Sequence, residues 1–144
     1  MLDVQRNRGA KHREEIDFTR KLMWAHMIGG AVVITLFLFH EVFYWFAGSL
    51  VWYGVSLVVM YGFMGQRDCC RWLLGLIFLS GAGAGLYFLS RVYPESVPPR
   101  VPIVPHGLIP LWVGLANLSY SVGAMVMMVN ARVRRAGETG FVLW

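Results

Sequence analysis

Four long apolar stretches, 22–47, 50–64, 72–90 and 106–130, are set apart by short polar breaks, and the basic residues gather on one side of them. The hydrocarbon core of a bilayer takes about 20 helical residues to cross. The pattern therefore predicts an all-α, polytopic membrane protein with four transmembrane helices in a bundle. A soluble bundle would carry a polar stripe along each helix, yet residues 49–64 and 72–90 contain no charge at all. With 57% hydrophobic and only 15% charged residues in 144, the chain reads as one domain too apolar for water. The second stretch is short, so it is expected to cross steeply.

Orientation follows from the sorting of charge. Arg6, Arg8, Lys11, Arg13, Arg20 and Lys21 precede the first stretch, Arg67 and Arg71 lie between the second and third, and Arg132, Arg134 and Arg135 follow the fourth. Of the 13 Lys and Arg, only Arg91 and Arg100 remain for the other side. The positive-inside rule then places both termini in the cytoplasm. The net charge of +5 is accounted for by topology and anionic headgroups, so no nucleic-acid partner is expected. The first apolar run is too long for a signal-peptide core and lacks a small-residue exit. Asp3, Glu14, Glu15 and Asp17 speak against an organellar transit peptide. A bacterial inner membrane is the expected location. Cys69 and Cys70 fall in the expected cytoplasmic loop, where thiols stay reduced, and read as structural or incidental.

Along the chain, residues 1–21 form a basic N-terminal segment, expected to be mobile over 1–9 and helical from about Ala10, with Asp17 and Lys21 as a helix pair. Gly48 and Ser49 read as a tight turn between the first two spans. The third connection, 91–105, carries Pro94, Pro98, Pro99, Pro102 and Pro105 and predicts an extended external strap or recognition strip. Span three holds an unbroken small-residue run from Ser80 to Gly85. Gly81 and Gly85, like Ser119 and Gly123 in span four, let helix backbones approach closely, either inside the bundle or between copies. Residues 131–144 form a tail whose apolar tip, Phe141 to Trp144, is expected to dock on a partner or the membrane interface.

Ionisable residues at membrane depth are costly and mark candidate sites. Span one supplies His26, His40 and Glu41, the last being the one carboxylate inside the four stretches. Counted back from Gly48, His40 and Glu41 belong to the external half, with Arg91, Arg100 and His106. A polar cluster of Glu41, Arg91, Arg100 and Asn117 is thus expected, serving as a salt bridge or as part of a ligand site. His40, His106 and His26 are candidate cofactor ligands, since imidazole binds haem iron and transition metals. His26 and His40 stand fourteen residues apart, nearly on one helical face, with Gly29 and Gly30 leaving space beside His26. This spacing is similar to that of the histidines holding stacked haems in membrane b-type cytochromes. Here only His106 is available on another span, so the resemblance implies a further histidine-bearing helix from another subunit. Phe43 to Phe46 read as an aromatic interface belt, and Met125, Met127 and Met128 as packing.

No phosphate-binding glycine loop, H-E-x-x-H or G-x-S-x-G is present, which points away from an enzyme. Three functions are compatible with these features. The first is an assembling or accessory membrane subunit, as a homo-oligomer or with other membrane subunits. The second is a redox subunit holding haem b, or a quinone, through its histidines. The third is an oligomeric channel or small transporter with Glu41 and Asn117 in a polar path.

Overall fold

A computed structural model describes residues 2–39, 43–92 and 108–143. Helices α1 (Leu2–Phe39), α2 (Phe43–Met64), α3 (Asp68–Tyr87), α4 (Leu108–Val129) and α5 (Ala131–Thr139) follow in order, and a π-turn at Phe88–Val92 ends α3. Four of them are long and apolar enough to cross a membrane: His12–Leu38 within α1, then Phe43–Met64, Asp68–Arg91 and Pro110–Val129. Each presents most of its surface outward, and the outward residues are apolar: Val58, Tyr61 and Val129 are all more than 70% exposed. A helix apolar on its outer face as well as its inner one is solvated by lipid.

Three boundaries differ from the sequence reading. Gly48 and Ser49 do not form a turn but lie inside α2, which begins at Phe43. Glycine is well tolerated in transmembrane helices, where there is no water to compete for its backbone groups. Span two consequently has 22 residues, enough to cross at 1.5 Å each. The N-terminal segment is helical from Leu2, continuous with span one, and Asp17 pairs with Arg20 at 3.7 Å rather than with Lys21. The proline-rich connection over 93–107 lies outside the described residues.

The helices pack as sequential neighbours, most extensively α3 against α4, whereas α1 touches α4 only sparingly and leaves a seam between them. Lipid offers no hydrophobic drive between spans, so close approach and hydrogen bonds hold them together. The Trp52 ring of α2 packs against Gly81 of α3, where an added Cβ would come within 2.6 Å of it, and its Nε1 donates to the Ile77 carbonyl and Ser80 Oγ. Gly85 faces Asn117, and Gly123 faces Phe78. The expected packing glycines of spans three and four thus serve contacts within this chain.

At the end of the bundle where the basic residues collect, Arg71 is buried at the start of α3. Its Nη1 donates to the carbonyls of Met127 and Met128, each at 2.9 Å, while Nε donates to Asp68 at 2.7 Å. A cation is thereby placed on the negative end of the α4 dipole, satisfying carbonyls that the helix leaves without partners. Asn130 caps α5 by accepting from the Arg132 amide. α5 then folds back on α1, burying Val133, Ala136 and Gly137. Arg135 pairs with the buried Glu15 at 2.7 Å, the Arg20 Nε donates to the Val142 carbonyl, and Phe141 packs edge-on against Phe63. Of the apolar tip, Phe141 and Leu143 are thus buried on the protein's own bundle, Val142 is exposed and Trp144 lies outside the described residues.

Two predictions follow from this packing. Gly81→Val should destabilise the detergent-solubilised protein by about 1–3 kcal/mol, whereas Gly83→Val, where a Cβ meets nothing within 4 Å, should leave its melting unchanged. Arg71→Met should cost about 1.5–3 kcal/mol through the stripped carbonyls. Asp68→Asn, whose partner contact is half-exposed to solvent, should cost under about 1 kcal/mol; thermal denaturation followed by circular dichroism measures both.

Candidate functional site

His26 stands one helical turn before Gly30 on the inward face of α1, about as deep in the bundle as Ser56 of α2, Phe78 of α3 and Tyr120 of α4. It is 95% buried, being 5% exposed, and its Nε2 lies 2.7 Å from Ser56 Oγ. Four aromatic rings enclose it: Phe78 at 4.7 Å between centroids, Tyr53 at 5.6 Å, Tyr120 at 5.8 Å and Trp52 at 5.9 Å. Gly30 makes this crowding possible, since a Cβ there would fall 2.5 Å from the Tyr53 ring and 3.4 Å from the Tyr120 hydroxyl. Gly29 faces open space. Of the two glycines expected to open the face beside His26, one is filled by rings and the other is free.

The hydrogen-bond network assigns the histidine tautomer. Ser56 has a single hydroxyl proton, and Oγ donates it to the Tyr53 carbonyl at 2.6 Å. Ser56 must then accept from His26, so Nε2 carries the proton and Nδ1 of the neutral ring is a bare acceptor. Tyr53 donates to the Met27 carbonyl at 2.7 Å and is satisfied. Among the described residues, two buried side-chain polar atoms have no partner, Nδ1 of His26 and the hydroxyl of Tyr120. One is an acceptor without a donor and the other a donor without an acceptor.

Two cavities meet at this cluster. The larger, about 530 Å3, runs from Trp52, Tyr53 and Tyr120 toward Trp45 and Phe88 at the far end of the bundle. Small residues on three helices, among them Gly48, Gly81, Ala84 and Ala116, keep it open. Ser49, Ser80 and Asn117 are its side-chain polar groups apart from the aromatic ones. Trp45 contacts Phe37 and Phe88 at 6.1 and 5.1 Å between centroids, whereas Tyr44 is 95% exposed. The group 43–46 expected to be an interface belt is therefore divided between the cavity and the outer surface. The smaller cavity, about 180 Å3, lies in the seam between α1 and α4 beside His26, Gly29, Ser119 and Gly123. Tyr120 and Ala116 line both.

Of the residues singled out from sequence, His40, Glu41, Arg100 and His106 lie outside the described residues. Arg91 is exposed at the π-turn, and Asn117 sits against Gly85 on the larger cavity. Of the three histidines expected as cofactor ligands only His26 is described, and its Nε2 is engaged by Ser56. Among the described residues, no group of three or more His, Cys, Asp or Glu stands close enough to hold a metal ion. Cys69 and Cys70 are free thiols, and Cys70 covers Gly62.

Ser56, Trp52 and Tyr120 were not recognised as partners of His26. A signal for the first two existed, since Trp52 and Ser56 are four apart and share one face of span two. No family model, curated protein or solved structure matches the chain.

Ser56→Ala would leave the buried Nε2–H of His26 without an acceptor and should lower stability by about 1–3 kcal/mol. Ser56→Thr, which keeps the hydroxyl, should recover most of that loss in the same melting experiment.

Proposed function

We propose that the protein is a small accessory subunit of a membrane that holds a ring-bearing apolar molecule, taken from the bilayer, between its helices. The larger cavity is the observation that carries this reading. Its volume of about 530 Å3 falls within the range of small-molecule sites, roughly 300–1,000 Å3. Its walls are predominantly rings and aliphatic side chains with a few polar groups, the usual make-up of such sites. The loose contact of α1 with α4 gives a route from lipid that avoids water. A conducting path gains little support from so apolar a lining. The basic end, which includes α5 and the α2–α3 turn, is assigned to the cytoplasm on the positive-inside rule, and a bacterial inner membrane is the location this reading adopts.

An assembling role is favoured by one separate observation. Gly54, Gly83 and Gly114 face outward with nothing within 4 Å, so backbone surface remains free for another helix after the bundle has formed. The oligomer mass in mild detergent tests it, and a Gly83→Val protein of unchanged mass and partners would count against that face.

Mass spectrometry of small molecules extracted from the purified protein tests the binding role. Wild type should retain one species close to equimolar with the chain. Gly48→Phe and Ala116→Phe, which fill the cavity from α2 and α4, should reduce it by about tenfold or more at unchanged helicity. The same mixture of bulk lipid in all three proteins would sink the reading.

A further inference from the structure

We infer that the occupant is a ring-bearing lipid alcohol of the phenol or quinol type, and that its hydroxyl is read by Nδ1 of His26 and the hydroxyl of Tyr120. The inference rests on the binding role proposed above and concerns the end of that site, where the larger cavity, bordered by Tyr120, meets the smaller one, which both Tyr120 and His26 line.

Both groups are buried, and leaving either without a partner is costly where no water competes. The rest of the cluster is closed: Ser56 is committed to His26 and Tyr53, Tyr53 to Met27, and Trp52 to Ile77 and Ser80. What is left over is one acceptor and one donor on residues whose rings meet edge-on at 5.8 Å. A hydroxyl is the smallest group that satisfies both, donating its proton to Nδ1 and accepting from Tyr120. A ketone or ether answers only the tyrosine, and a carboxylate would bring an uncompensated charge to membrane depth. The ring follows from the walls, since Trp52 on the larger cavity, Phe78 on the smaller and Tyr120 on both offer surfaces on which another aromatic or alicyclic ring packs.

Tyr120 also controls access. It packs edge-on against His26 and lines both cavities, so it stands between the seam and the larger chamber. His26 and Tyr120 act here as recognition groups, and the inference involves no transfer of electrons or protons.

A matched pair of probes, 4-octylphenol and its methyl ether, separates hydroxyl recognition from plain cavity filling. Binding is followed by thermal stabilisation of the nanodisc-reconstituted protein. The phenol should bind about tenfold more tightly than the ether, the worth of a buried hydrogen bond. In Tyr120→Phe the phenol should fall to the level of the ether. The 15Nδ1 resonance of His26 should lie in the position of a bare nitrogen in the empty protein and move on addition of phenol. Equal binding of phenol and ether would overturn hydroxyl recognition while leaving the binding role intact. Failure of both probes to bind would overturn the two together. A 15Nδ1 resonance already hydrogen-bonded without ligand, and unmoved by the phenol, would assign the gap to a resident water and overturn the inference.

Discussion

Helices surrounded by lipid gain nothing from hiding apolar surface, because the acyl chains outside are as apolar as the leucines within. The bundle instead depends on rings laid against glycine: Trp52 on Gly81, Tyr53 on Gly30 and Phe78 on Gly123. Each contact brings an aromatic ring close to the backbone of the neighbouring helix, in space that a Cβ would crowd. Two of the three also carry a hydrogen bond from the same ring to a backbone carbonyl of the helix it covers. The contact is therefore directional, and it fixes rotation as well as separation. Everything nearer the centre, including the position of His26, inherits its placement from these rings.

The same economy of small residues explains why a cavity persists. Glycines that admit a ring on one side leave a gap where no ring is supplied, as at Gly48 and Gly29. The side chains bordering those gaps are mostly apolar, yet the polar cluster at their meeting point is not fully paired. A histidine buried among four rings with one nitrogen committed and one bare is a poor structural choice, since a leucine would pack there without an unpaired lone pair. The cost is concentrated in one place, where two voids and the α1–α4 seam converge.

The four spans were legible because span length is imposed by the bilayer and leaves its record in every window of sequence. The course of α2 through Gly48 and Ser49 was not, because a Gly-Ser pair signals a turn in water and carries little such meaning in lipid. The depth of His26 and the free space near Gly29 could be inferred from spacing alone. Its partners could not, since Ser56, Phe78 and Tyr120 come from three other helices whose relative rotation is set by ring-on-glycine contacts. The docking of Phe141 and Leu143 on their own bundle likewise depends on Arg135 meeting Glu15 across 120 residues, a pairing no local pattern announces.

Arg71 has a consequence for how the protein meets bilayers of different thickness. By holding the carbonyls of Met127 and Met128, it pins the end of α4 to the beginning of α3. A slip of one residue would strand a buried guanidinium, so these two helices are fixed in register and cannot slide to match a thinner or thicker hydrocarbon layer. Hydrophobic mismatch then falls on the tilt of the bundle as a whole, with α3 and α4 moving as one unit.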